Sequence, residues 1–213
     1  MTLFDLLFIL VFLGTAAGIV WIFIIALRGF RARALGMLLR LSSFLAVYLS
    51  IVVVVSLLSP RKELRVGQDE CFDDWCLAVD NVHFSTSAGG GAFRTPAQGI
   101  FYFVRLRVSS RALGRAQAAP DAAVYLLDEH GRTFEPSPEG QRAYESANGK
   151  SIPLGTRLLP GASFQSVIVF DVPKGVGPIG LVVSHGGWPG RFIIGDSNSL
   201  LHKKRVILLP EPP

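Results

Sequence analysis

Residues 6–27 run for 22 positions without a charge, LLFILVFLGTAAGIVWIFIIAL. As a helix rising about 1.5 Å per residue this stretch is about 33 Å long, enough to cross a hydrocarbon core of about 30 Å. A second apolar stretch runs from Ala34 to Leu58 with Arg40 as its only charge. Arg40 lies near the start of that stretch, where a long side chain can snorkel to the headgroups. The pair reads as a transmembrane helical hairpin over residues 1–60, with spans at about 6–27 and 37–58 and a loop at 28–36. A cleavable signal peptide fits less well: no Lys or Arg precedes the first run, the run is too long for an h-region, and no A-x-A site follows it.

The two stretches account for a shortage of charge. Charged residues make up 17% of the 213-residue chain, against roughly 25% in ordinary soluble domains. The net charge of +5 divides into +3 on residues 1–60 and +2 on 61–213. The second part therefore has no Lys/Arg surplus able to neutralise several phosphates, which excludes a nucleic-acid binder. Its length of about 150 residues suffices for one domain with its own core.

Arg28, Arg31 and Arg33, with Arg40 nearby, form a dense positive cluster that resists translocation. The loop is expected on the cytoplasmic side, with both termini extracytoplasmic, although Arg61, Lys62 and Arg65 after the second span oppose this. Small residues recur at four-residue spacing: Gly14 and Gly18 in the first span, Ser42, Ala46 and Ser50 in the second. Such stripes let helix backbones approach closely. The expectation is that Gly14 and Gly18 pack on the Ser42–Ala46–Ser50 face, with homo-oligomerisation through the glycines as the rival.

After Ser59-Pro60 the chain turns to short apolar runs broken by Gly, Pro, Asp and Asn. Ile100 to Val108 alternates with period 2, which places Arg105 and Arg107 on one face of a half-buried strand. Val124 to Leu127 leads through Asp128-Glu129-His130-Gly131 into Arg132-Thr133-Phe134, a hairpin pattern. Ser163 to Val172, Ile179 to Ser184 and Arg205 to Leu209 read as further strands, and Pro138 to Ala147 is the one stretch of helical period. The chain closes on Pro210-Glu211-Pro212-Pro213, which cannot continue a ladder and is expected to fray. Several short strands joined by turn-rich loops predict an antiparallel β-sandwich over residues 61–213.

The stretches VYLLDEHGRTFEPS (Val124 to Ser137) and LLPGASFQSVIVFDVP (Leu158 to Pro173), following the strand FYFVRLRV, resemble the telokin-like, immunoglobulin-like domains of unknown function found in bacterial envelope proteins. The resemblance covers about residues 66–185. It implies an extracytoplasmic immunoglobulin-like sandwich and brings no catalytic residues with it. Many members are lipoproteins; here a lipobox cysteine is missing and two spans stand in its place.

The only cysteines, Cys71 and Cys76, lie in ECFDDWC. C-x4-C is not the C-x-x-C of thioredoxin-like sites, and there is no second pair to complete a four-cysteine zinc site. A disulfide is the simplest reading, and it requires an oxidising compartment, in agreement with a cytoplasmic arginine loop. Between the cysteines, Phe72 and Trp75 either plug one end of the sandwich, the reading favoured by how aromatics are used in cores, or join Asp73 and Asp74 in a recognition tip. Trp188, within His185-Gly186-Gly187-Trp188-Pro189-Gly190, carries the same ambiguity.

Catalytic and cofactor signals are weak. His83, His130, His185 and His202 are scattered singly, without metal-site spacing, so neither metal nor cofactor is expected. Asp80 and His83 with Ser85 or Ser87 give no triad order or nucleophile elbow. Gly149-Lys150-Ser151 imitates a P-loop end, but Tyr144 stands where its first glycine should be. Gly89-Gly90-Gly91 reads as a flexible loop. The chain thus reads as a non-enzymatic, multi-pass protein of a bacterial cytoplasmic membrane whose partners are the lipid bilayer and another envelope protein. An accessory or sensor subunit packed through its hairpin is the alternative, and a hydrolase or metal-dependent protein the least supported.

Overall fold

A computed structural model describes residues 3–90, 94–176 and 179–212. Gly91 of the expected glycine loop and Pro213 of the tail lie outside them. The chain divides into two compact units, residues 1–61 with 187–204, and residues 62–186 with 205–213. This departs from the expected boundary: the segment between the last two strands groups with the helices.

In the first unit, α1 (Leu3–Leu27) and α2 (Arg31–Leu58) are long and apolar enough to cross a membrane. Gly29, at φ +87°, carries the turn between them in a conformation that side chains resist. The loop is therefore shorter than expected, and Arg31 and Arg33 enter the first turn of α2.

The helices meet along a seam that differs from the expected one. The shielded positions of α1 include Phe8, Val11, Thr15, Gly18, Ile22 and Ile25, and those of α2 include Leu41, Leu45, Tyr48, Val52 and Val55. Alternating steps of three and four are the signature of knobs-into-holes packing. A Cβ on Gly18 would stand 3.4 Å from Leu41 Cδ2, whereas one on Gly14 would meet nothing within 4 Å. Ser42, Ala46 and Ser50 are exposed. The expected packing of both glycines on the Ser42–Ala46–Ser50 face is thus corrected: large residues spaced by the heptad own the interface, and a stripe spaced strictly by four drifts off it.

Residues 187–204 fold against this pair. Tyr48 Oη donates to Phe192 O at 2.7 Å, and Ile194 is buried with Tyr48 and Val52, with Val11 and Val55 packed alongside.

In the second unit the described strands form two sheets. One has the order β2 (Glu70–Phe72), β3 (Trp75–Ala88), β4 (Thr95–Ser110), β7 (Ser163–Val172); the other runs β1 (Glu63–Arg65), β9 (Val206–Leu208), β8 (Ile179–Ser184), β5 (Ala123–Asp128), β6 (Thr133–Phe134). All pairings are antiparallel except β1 with β9. Their inner faces share one core: Leu77, Val79, Val104, Leu106, Val108 and Phe170 from the first sheet, Val124, Leu126, Leu181, Val183 and Ile207 from the second. This is a β-sandwich. The long strand β3 carries no clean alternation in the sequence and is the main addition to the expected set.

The helix α3 (Pro138–Asn148) starts at an N-cap, Ser137, whose Oγ accepts from Gly140 N at 3.1 Å, with Pro138 in the first turn, as helix starts favour. It lies on the outer face of the first sheet, where Ala143 packs with Ala88, Phe101 and Val169. Gln141 behaves like an added strand residue: its Nε2 donates to Val167 O and its Oε1 accepts from Val169 N, both at 3.0 Å. The open edge of β7 is thereby covered.

Candidate functional site

The site begins with a defect in β3. Between Val79 and Asn81 the pairing with β4 slips by one residue, so Asp80 is a bulge residue without a partner across the ladder. A bulge changes which parity faces the core. Before it, Leu77 and Val79 point inward; after it, Val82 takes the inner side opposite Val104, and Asn81, His83 and Ser85 face outward.

On β4 the outward residues are Phe101, Phe103, Arg105 and Arg107, as the alternation predicts. α3 covers Phe101 and stops short of Arg105. An open groove of about 440 Å³ remains, lined by Asn81, His83, Ser85, Ser87, Phe103, Arg105, Tyr144, Asn148 and Val167 among others. Its floor is a row of rings, with His83 and Phe103 centroids 6.0 Å apart and Phe103 and Tyr144 centroids 5.7 Å apart.

Electrostatics separate the two arginines. Arg107 Nε lies 3.0 Å from Asp80 and its terminal nitrogen 3.3 Å from Asp69, which also holds Arg111 at 2.7 Å. The Asp80 hydrogen bond and the Asp69 charge hold the Arg107 guanidinium above its ordinary pKa, against its partial burial. Arg105 is exposed and has no carboxylate within ion-pair reach among the described residues. No Asp or Glu lines the groove among the described residues, and Arg94 adds a second guanidinium at its rim, donating from Nε to Ser87 Oγ at 2.8 Å. Aromatic faces, two amides and an unpaired guanidinium suit a ligand that stacks and carries negative charge.

The Asp80–His83 pairing considered from sequence is not made. Asp80 Oδ1 accepts from Arg107 and Oδ2 from Gln165 Nε2 at 3.0 Å, because the bulge points this carboxylate along the strands toward Arg107. His83, Ser85 and Ser87 share the groove without it. Among the described residues no three His, Cys, Asp or Glu side chains are placed to hold a metal ion. Ser151, of the apparent P-loop, donates its Oγ to Val167 O at 2.9 Å beyond the end of α3.

Cys71 and Cys76 face each other across the β2–β3 hairpin and are joined, S–S 2.04 Å. Asp73 makes the turn with φ +54°, and Asp74 accepts from Gln117 Nε2 at 3.3 Å. Trp75 is 3% exposed and Trp188 70% exposed, so the first is a core plug and the second points outward. Trp75 and Phe72 pack around the His185 ring, tilted at 5.4 Å and edge-on at 5.5 Å respectively. His185 Nδ1 lies 2.7 Å from Asp121 Oδ1, while Gly186 N donates to Asp121 Oδ2 at 2.7 Å. Burial pushes the Asp121 carboxyl up, but the Gly186 N–H and the His185 ring outweigh it and leave it below the ordinary range.

Arg28, Arg31, Arg33 and Arg40 are all exposed, with the Arg33 guanidinium 5.3 Å over the Phe30 ring. The groove, the Asp121–His185 clamp and the 187–204 segment were not readable as sites in the sequence. The advance sign of the groove was the pair of outward arginines on one strand, and that of the segment was Trp188 in its turn-rich run.

No family model matches the chain, and no curated protein matches it. Solved structures similar to it include a conserved hypothetical protein from Bacillus anthracis, at 16% identity over 56% of this chain and 89% of that one, TM-score 0.45. Another is an uncharacterised β-sandwich protein from Clostridium difficile, at 12% identity over 71% and 96%, TM-score 0.44. A third is MPT63, a secreted protein from Mycobacterium tuberculosis, at 14% identity over 60% and 92%, TM-score 0.43.

Proposed function

We propose that this chain is a non-catalytic recognition module of the bacterial cell envelope. In this reading the α1–α2 hairpin crosses the cytoplasmic membrane, and an immunoglobulin-like sandwich is displayed on the extracytoplasmic side. The arginine turn and the Cys71–Cys76 bridge both favour that orientation. The groove over β3, β4 and α3 carries the recognition role, because an aromatic floor beside an unneutralised Arg105 is arranged for binding. Its ligand class is an acidic segment of an envelope protein, bound through Arg105 and stacked on Phe103 and Tyr144.

Photo-crosslinking in cells tests this with the full-length protein. A crosslinking amino acid at Asn148 is expected to give one discrete adduct that Arg105→Glu removes, while the same group at Glu129 gives none. An adduct indifferent to Arg105→Glu, or the same products from both positions, would contradict the reading. A second reading, an accessory subunit packed through its hairpin, is favoured by one observation: Ser42, Ala46 and Ser50 face away from α1, and Ala46 and Ser50 border a groove of about 370 Å³ with Val47, Ile51, Val54 and Val55. Loss of a co-purifying membrane protein on Ala46→Leu would favour it.

A further inference from the structure

The segment that leaves β8 and returns to β9 is packed on the hairpin below the helix ends. Its contacts centre on Tyr48, Val52 and Val11. Val11 lies five residues inside the uncharged run that begins at Leu6, or about 8 Å along the helix. If that run spans the hydrocarbon, Phe192 and Ile194 sit at the level of the outer acyl chains.

A loop at that depth has to satisfy its own backbone, since no water is there to do so. This one does. Gly187 O accepts from Arg191 N, Pro189 O from Phe192 N, Gly190 O from Ile193 N and Arg191 O from Leu200 N, at 3.0 to 3.1 Å. Phe192 O accepts from Tyr48 Oη, and Ile193 O from Ser199 Oγ. At the same time the segment keeps large apolar groups outward: Trp188, Leu200 and Leu201, the last 65% exposed. Arg191, Lys203 and Lys204 exceed its single acid, Asp196. Outward tryptophan and leucine with a basic surplus match the composition of the membrane–water interface.

We propose that residues 187–204 form an interfacial element that dips into the outer leaflet beside the hairpin, with Trp188, Leu200 and Leu201 among the upper acyl chains and Arg191 and Lys203 toward lipid phosphates. This rests on the reading that the hairpin spans the bilayer. It makes the connection between two strands of the sandwich a second membrane attachment.

The test uses full-length protein in vesicles of phosphatidylcholine and phosphatidylglycerol carrying a spin-label quencher at a shallow or a deep acyl position. The Trp188 signal is the difference between Trp21→Phe and Trp21→Phe/Trp188→Phe proteins, both retaining the core Trp75. It is expected to fall about twofold with the shallow quencher and to resist aqueous acrylamide. The Trp21 signal, obtained likewise from Trp188→Phe, should respond to the deep quencher. A Trp188 signal quenched by acrylamide and untouched by either lipid label, with Trp21 still quenched, overturns the inference and leaves the span standing. Loss of lipid quenching at both tryptophans overturns the span and the inference together.

Discussion

The hairpin and the sandwich place their apolar side chains in opposite ways. In the sandwich Phe101, Phe170, Leu77, Leu106, Leu126, Leu181 and Ile207 are fully buried, and few large apolar residues, among them Leu113, Leu159 and Leu208, stand exposed. In the hairpin the apolar residues point outward, among them Leu10, Leu13, Val20, Phe23, Leu39, Phe44 and Val47, and only a narrow seam is enclosed. So much apolar surface outside is what the proposed membrane span requires of this unit. The contrast teaches that burial alone does not measure what an apolar residue contributes here; the surroundings of each unit decide it.

Truncation of core and outward residues should break the symmetry of a purely hydrophobic account. Phe170→Ala is expected to destabilise the sandwich by about 3–5 kcal/mol, read as a lower urea midpoint in detergent, while Leu39→Ala should leave that midpoint unchanged. Removing the bridge with Cys71→Ser and Cys76→Ser should cost about 2 kcal/mol, the value for closing so short a loop, and should be reproduced by reductant on the native protein.

Within the hairpin, Gly18→Leu should drive a side chain against Leu41 and cost about 1–3 kcal/mol, seen as weakened helix pairing in a proximity assay. Gly14→Leu, whose Cβ would meet nothing within 4 Å, should not. If both behaved alike, the heptad seam would be wrong. The smallest effect concerns Asp121, whose carboxyl is held below its ordinary range in the fold. Its share of stability is present above the unfolded value, about 3.9, and disappears as pH falls from there through the depressed folded value. Asp121→Asn should flatten that acid limb of a melting-temperature profile, because it lowers the melting temperature slightly at neutral pH and leaves it unchanged below the folded value.

Much of the architecture could be read from the sequence because single physical periods governed it. The two apolar runs marked both helices, alternation marked β4 with Arg105 and Arg107 on one face, and the helical period from Pro138 to Ala147 marked α3. The strand β3 escaped because its bulge at Asp80 interrupts the alternation, and only pairing with β4 shows that Asn81 and His83 lie on the outer face. The groove depends on that bulge and on where α3 ends, both tertiary facts. The small-residue stripe misled because spacing by four does not identify which helix face is enclosed. The attachment of residues 187–204 hangs on one hydroxyl, Tyr48, and one buried side chain, Ile194, and no local pattern announces either.

The central claim is that an arginine turn inside and a disulfide outside fix this chain across a membrane. The most direct measurement is cysteine labelling of the full-length protein in intact spheroplasts with a membrane-impermeant maleimide, with and without an impermeant reductant. The account predicts no labelling of Cys71 and Cys76 before reduction and labelling of both after it. Thiols that are free without reductant and reached only by a permeant maleimide would place the sandwich in the cytoplasm and contradict the account.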